Sequence, residues 1–131
     1  MKVVKQLAVF LENKPGALAA MTRALAKQKV NIYAISVSDA VDHAVVRMVV
    51  SDPLRAIHLF GEHGVLVVER SVLLIECGNR PGELAELANK LSRHKINIEY
   101  IYAAALPGSE RGALILRVDN IKKAQSVLRG H

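Results

Sequence analysis

The sequence predicts an α+β fold in which two small units of the same build follow one another along the chain. Two observations predict it: an internal repeat, and short strand-like segments that alternate with helix-like segments within each copy. Apolar residues make up 51% of the 131 residues, aromatic residues make up only 4%, and Trp is absent. The core is therefore expected to consist of aliphatic side chains, which suits helices packed on sheets.

The repeat appears when the sequence is shifted along itself by 66 residues. Residues Asn13 to Ile35 then align with Asn79 to Ile101 without a gap, and ten of these 23 positions are identical. A length of about 65 residues is near the lower limit for a domain that folds without disulfides or metals. We predict two related domains, residues 1–69 and 70–131.

Strands and helices follow from the local patterns. Pro15 and Pro81 suit the first turn of a helix, and apolar residues at helical spacing follow each of them. Four strands and two helices are predicted in the first repeat: Gln6–Glu12, a helix from Pro15, Ile32 to Ser38, His43–Val50, Pro53–His63 as the second helix, and Val65–Glu69. The second repeat predicts Ser71–Cys77, a helix from Pro81, Ile98 to Ala105, Ala113–Val118 and a second helix over Ile121–Arg129. Gly64 and Gly130 are predicted to follow the second helices at C′.

This order of elements is the split βαβ or ferredoxin-like arrangement, a four-stranded antiparallel sheet with both helices on one face. The second repeat reaches His131 where its fourth strand would begin, so Ser71–Cys77 is expected to lack a neighbour. We predict that this strand pairs with the other repeat or with a second molecule, because an open sheet edge promotes association. Val65 to Cys77 contains no turn residue, which predicts one long strand. The connectors Ser38–Asp42 and Leu106–Gly112 are read as turns.

The loop between first strand and first helix is the candidate functional site. It reads Asn13-Lys14-Pro15-Gly16 in one repeat and Asn79-Arg80-Pro81-Gly82 in the other. Glycine lets a ligand approach the backbone, and the free N–H groups of a helix's first turn favour an anion. Asn31 and Asn97 each follow eighteen residues later, and their amides offer donors and an acceptor. The combination suits a zwitterion, as a free amino acid is.

These motifs resemble the ACT domain. The residues that carry the resemblance are Glu-Asn-Lys-Pro-Gly-Ala-Leu, which starts at Glu12, and Val30-Asn31-Ile32, which follows at the spacing seen in that family. The resemblance covers nearly the whole chain, twice, and is closest to serine-binding members of the family, in which loop and strand asparagines hold the effector between two domains. It implies binding of an amino acid, sheets joined edge to edge in a homodimer or higher homo-oligomer, and control of an amino-acid biosynthetic enzyme or a regulator.

The ligand is expected to contact both loops and both strand entries. The expected residues are Leu11, Asn13, Lys14, Pro15, Gly16, Ala17, Leu18, Asn31 and Ile32, and Cys77, Asn79, Arg80, Pro81, Gly82, Glu83, Leu84, Asn97 and Ile98. Leu11 and Cys77 stand where the serine-binding members have a histidine, so we do not expect serine specificity. An apolar lining favours a branched or aromatic amino acid.

Other functions are not favoured by the composition. The net charge of +6 is spread evenly, with nine basic and six acidic residues in 1–70 and the same numbers in 71–131, so no nucleic-acid footprint stands out. The strands His43–Met48 and Ala113–Arg117 contain none of the aromatic residues on which RRM domains stack bases. No apolar run is long enough to cross a membrane, and no export signal is visible. A single cysteine, Cys77, excludes an internal disulfide and favours the cytoplasm.

Catalysis and metal binding are not predicted either. Cys77 has no identifiable partner and reads as a small buried hydrophobe, and the five histidines show no ligand spacing. We expect no cofactor. Two alternatives to an amino-acid sensor stay open: an interaction module of ACT fold that binds no ligand and, more distantly, a nucleic-acid-binding ferredoxin-like domain.

Overall fold

The computed structural model describes residues 1–39 and 42–130, and the chain divides into two compact units. The first unit is Lys5–Arg70, and the second combines Met1–Val4 with Ser71–His131. The elements are β1 (Lys2–Glu12), α1 (Ala17–Lys27), β2 (Ile32–Asp39), β3 (His43–Val50), α2 (Pro53–Glu62), β4 (Val67–Gly78), α3 (Glu83–Arg93), β5 (Ile98–Ala104), β6 (Arg111–Val118) and α4 (Ile121–Leu128).

In the first unit the strand order is β2-β3-β1-β4. Strand β3 pairs antiparallel with β1, where Glu12 faces His43, and with β2, where Asp39 faces Ala44. Both helices cover the same sheet face, because one core cluster unites residues of β1, β3, α1 and α2. That cluster consists of Leu7, Val9, Leu11, Met21, Leu25, Val30, Val46, Met48, Val50, Ala56, Leu59 and Phe60. The unit is therefore the predicted α+β arrangement.

The second unit has the order β1-β4-β6-β5. Its strands β4 and β5 both pair antiparallel with β6, and α3 and α4 share one core with them. The position of a fourth strand beside β4 is taken by the first residues of β1, since Met1–Val4 belong to this unit. The strand that the sequence left without a neighbour is thus paired within the chain.

Helix ends follow local chemistry. Asp52 and Asn120 cap α2 and α4, and their side chains accept hydrogen bonds from the N–H groups of Arg55 and Lys123 at 3.1 Å each. Helix α2 ends at Glu62, and Gly64 follows with φ of 68°. Its left-handed backbone confirms the predicted C′ glycine, because that conformation costs glycine little.

Several predicted bounds shift slightly. Strand β1 begins four residues earlier than Gln6, and the predicted strand over Val65–Glu69 begins at Val67 and continues into Ser71–Cys77 as the single strand β4. The long strand predicted from the lack of turn residues is therefore confirmed. Within the connector Ser38–Asp42, Ala40 and Val41 lie outside the described residues, as does His131.

Candidate functional site

Each unit has a corner where its first long strand gives way to a helix. We call Leu11–Leu18 the first corner and Cys77–Leu84 the second corner. The residues just before α1 and α3, Gly16 and Gly82, have φ of 87° and 93°, and no side chain caps either helix. A left-handed φ of this kind favours glycine over any residue with a Cβ. The first N–H of each helix donates to a loop carbonyl oxygen, from Ala17 to Lys14 and from Glu83 to Arg80, and the next N–H groups of the first turn are left for other acceptors.

The loop asparagines are engaged by their own chain. Asn13 donates its side-chain amide to the carboxylate of Asp39 at the end of β2. The amide of Asn79 donates to the carbonyl oxygens of Leu106, at 3.2 Å, and Ser109, at 2.7 Å, in the loop between β5 and β6. In both units the loop asparagine therefore ties the corner to the neighbouring strand connection.

The second pair of asparagines lies at the other end of each sheet. Strands β1 and β2 are both antiparallel to β3 and therefore run in the same direction. The start of β2 thus lies at the other end of the sheet from the end of β1. Asn31 accordingly meets Ser51, whose hydroxyl accepts from the Asn31 N–H at 2.8 Å. The eight residue-to-residue steps from Asn31 to Asp39 span about 26 Å of extended chain. Within one unit the structure does not bring Asn31 to Asn13.

The same separation holds in the second unit. The N–H of Asn97 donates to the carboxylate of Asp119, at 3.1 Å, near the end of β6. Asn79 instead lies at the start of β6, where its own N–H donates to the carbonyl oxygen of Glu110 at 2.9 Å. Asn97 and Asn79 are thus at opposite ends of the same strand ladder.

An ion pair marks each corner. Lys14 Nζ lies 2.9 Å from Glu12 Oε2 in the first corner, and Arg80 Nε donates to Glu83 Oε1 at 2.9 Å in the second. The hydrogen bond from Lys14, together with its charge, lowers the pKa of Glu12 below the ordinary value of 4.5. The hydrogen bond and charge of Glu83 raise the pKa of Arg80 above its ordinary value. Both corners thus present a cation beside a carboxylate.

A cleft of about 220 Å³ adjoins the second corner. The loop and the first turn of α3 form one wall, and small residues of β5 and β6 form the other. Its lining consists of Cys77, Gly78, Asn79, Arg80, Glu83, Leu84, Ala103, Ala104, Ala105, Gly112, Ala113 and Leu114. The lining combines two charged side chains, Arg80 and Glu83, with apolar ones, and an amino acid requires both kinds of contact.

The remaining expected contacts are placed in different ways. Leu11 is buried in the core, and Ile32 and Ile98 pack against the cores of their units. Leu18 and Leu84, by contrast, are exposed by 39% and 49%. Cys77 is half-buried and lines the cleft while also packing against the second core.

Some corner residues escaped the sequence analysis. Glu12 belongs to the first corner, Asp39 contacts it, and Ala103, Gly112 and Leu114 line the cleft of the second corner. Glu12 had a visible signal, because a carboxylate two residues before a lysine can fold back onto it. The cleft residues come from strands distant in sequence, and only the sheet register brings them to the corner.

The described residues offer neither a metal-ligand cluster nor a membrane-spanning helix. Among residues 1–39 and 42–130, no three His, Cys, Asp or Glu side chains are grouped as metal ligands would be. No helix in this described part of the chain has the length and apolar character needed to cross a membrane.

Comparison with known proteins identifies relatives of the whole chain. Residues 1–130 match the family described as an ACT domain pair. Protein BT0572 from Bacteroides thetaiotaomicron is 35% identical, with a TM-score of 0.92 over 98% of this chain and 88% of that one. The regulatory subunit of aspartate kinase from Thermus thermophilus has the same fold at 16% identity, with a TM-score of 0.72 over 98% of this chain and 90% of that chain. The corresponding subunit from Thermus flavus is 17% identical, with a TM-score of 0.66 over 98% of this chain and 90% of that chain. No curated protein matches the sequence.

Proposed function

Since the chain belongs to the family of paired ACT domains, we propose that it senses a free amino acid at its corners and regulates another protein in response. The observation that carries this proposal is the pairing of one cation with one carboxylate beside an uncapped helix start, once in each unit. A site that binds a zwitterion needs both a cation and a carboxylate. Its carboxylate would take the first-turn N–H groups and the cation, and its ammonium would take the acid.

The cleft at the second corner supports a small ligand. Its volume of about 220 Å³ lies below the range of about 300–1,000 Å³ that is typical of sites for larger organic molecules, and an adjoining cleft of about 460 Å³ shares Arg80 and Glu83 with it. Ala103, Ala104 and Leu114 would receive an apolar side chain, because they are apolar residues of the cleft lining. We therefore expect an apolar amino acid in the second corner.

The signal would pass to another molecule. The relatives of known structure include proteins named as regulatory subunits of aspartate kinase, and we propose a regulatory rather than a catalytic role for this chain. An amino-acid biosynthetic enzyme or a regulator in the cytoplasm is the expected target. Asn31 and Asn97 would not reach a ligand at the corner of their own unit, and the homo-oligomer that the family implies would bring such a side chain to a corner of another copy.

The proposal is tested by thermal unfolding of the full chain in the presence of each of the twenty amino acids. A ligand at one hundred times its dissociation constant should stabilise the protein by about 2.7 kcal/mol. Replacement of Arg80 by Met should weaken the response, whereas Arg93→Met, at the far end of α3, should preserve it. A flat response to all twenty amino acids would contradict the proposal.

A second candidate, an interaction module that binds no ligand, is favoured by one observation. The amides of Asn13 and Asn79 donate to Asp39 and to loop carbonyls of the same chain, as groups with a structural role do. A flat thermal response would support this candidate, provided that the protein still associates with itself or with a target enzyme.

A further inference from the structure

The two corners obtain their carboxylate from different positions in the repeat. At the offset of 66 residues, Lys14 corresponds to Arg80, so the loop cation is kept. Glu12 corresponds to Gly78, however, and Ala17 corresponds to Glu83. The first corner thus takes its acid from the end of a strand, and the second takes it from the first residue of a helix.

The geometry of the second corner explains how one acid can replace the other. A Cβ placed on Gly78 would come within 2.4 Å of Glu83 Oε1. The Glu83 carboxylate therefore occupies the space into which a side chain at position 78 would extend. Since Gly78 corresponds to Glu12, both carboxylates lie beside the strand end and contact the loop cation, although they start from different elements.

Glu83 is also placed differently from a surface ion-pair partner. Its side chain is only 16% exposed, while that of Arg80 is 78% exposed. Both bonds from Arg80 go to Oε1. These two bonds engage Oε1 and leave the second carboxylate oxygen, Oε2, to other donors. Glu83 itself lines the cleft of about 220 Å³.

We infer that Glu83 is the group that binds the ligand's ammonium, and that the second corner requires a free α-amino group. This inference rests on the proposed amino-acid sensing. In the second corner the ammonium donates to Glu83 Oε2, while Arg80 holds Oε1 and orients the carboxylate. The chemical class of ligand is thereby narrowed to α-amino acids with an unmodified amine, and N-acylated amino acids and simple carboxylic acids are excluded.

The test titrates the ¹⁵N-labelled full chain with an equimolar mixture of the twenty L-amino acids, and separately with a mixture of their N-acetyl derivatives. The Leu84 amide reports the second corner and the Leu18 amide reports the first, so each site is read separately. Loss of a hydrogen bond to a charged group corresponds to about ten- to hundredfold in affinity. E83A should weaken the Leu84 response by that factor and leave the Leu18 response unchanged.

Two further variants separate the role of the carboxylate from general damage. E86A removes the same charge from an exposed position in the first turn of α3 and should bind as the wild type does. G78E/E83A transplants the arrangement of the first corner into the second, and it should recover most of the affinity that E83A loses. Gly78 does not have a positive φ, so its backbone accepts a side chain.

The outcomes distinguish the inference from the proposed function. The expected result is a response to free amino acids alone, lost in E83A and recovered in G78E/E83A. Binding of N-acetyl amino acids, or full affinity in E83A, would overturn the inference while leaving amino-acid sensing intact. No response of the wild-type protein at either corner would overturn both.

Discussion

Asn79 donates a side-chain hydrogen bond of 2.7 Å to the carbonyl oxygen of Ser109, a residue 30 positions further along the chain. The same amide also reaches the carbonyl oxygen of Leu106 at 3.2 Å. Asn13 makes the equivalent link to Asp39 in the first unit. The repeated asparagine therefore connects the helix start with the adjacent strand connection, and this link gives each corner its shape.

Replacement of Asn79 by Ala should loosen the loop between β5 and β6. Two hydrogen bonds to exposed carbonyls are lost, and we expect the free energy of unfolding to fall by about 1–2 kcal/mol. Amide exchange at Ser109, whose N–H donates to Leu106 at 3.0 Å, should become faster. Asn89→Ala, on the exposed side of α3, is the control and should alter neither measurement. Unchanged exchange at Ser109 in the Asn79 variant would refute the link.

The pKa of Glu12 should depend on Lys14. Because the folded pKa lies below the ordinary 4.5, the unfolded chain binds more protons between the two values. The contribution of Glu12 to stability is therefore present above pH 4.5 and is lost as the pH falls through the folded pKa. An NMR titration should show the pKa rising toward 4.5 in K14M. K5M removes the same charge from a lysine that pairs with Glu69, and should leave the Glu12 titration unchanged.

Truncation of the repeated leucines should be costly. Leu91 is 0% exposed in the second core, and its replacement by Ala should lower the free energy of unfolding by about 2–5 kcal/mol through lost burial and a residual cavity. The control is Leu54→Ala in α2, where the side chain is 67% exposed and the expected cost is below about 0.5 kcal/mol. Equal effects in urea denaturation would contradict the assigned core.

A glycine should be preferred after α1. Lys29 has φ of 59° without being glycine, and a left-handed backbone costs such a residue about 1–2 kcal/mol. Glycine avoids this cost, but its greater freedom in the unfolded chain offsets part of the gain. K29G should therefore raise the free energy of unfolding by about 0.5 kcal/mol. Arg23→Gly, inside α1, removes the same charge and should instead lower it by about 1 kcal/mol. Chemical denaturation of both variants provides the comparison.

Local patterns predicted most elements of the fold, because the hydrophobic periodicity of a strand or a helix is visible in residues that are close together in the sequence. Strand β3 runs over His43–Val50 as predicted, and the long β4 follows from the absence of turn residues after Val65. The extension of β1 to Lys2 was missed. Residues Met1–Val4 join the second unit, and a pairing with residues about 70 positions away leaves no local mark in the sequence.

The site was harder to predict than the fold. The loop residues Asn13 to Gly16 and Asn79 to Gly82 form the corners, because a repeated motif at a strand-to-helix turn stays contiguous in space. Asn31 is part of the repeat but lies at the far end of its sheet. Helix α1 carries the chain back along the sheet, so β2 begins at the end away from the first corner. The difference between Glu12 and Gly78 has a physical reason once Glu83 is seen to fill the space beside Gly78.

The most direct test of amino-acid sensing is calorimetric titration of the wild-type chain with each of the twenty amino acids, with E83A and E86A as companion variants. Heat of binding for at least one apolar amino acid, retained in E86A and strongly reduced in E83A, is the predicted result. No measurable heat for any of the twenty at millimolar concentrations would contradict it, and the corners would then be structural joints of an interaction module.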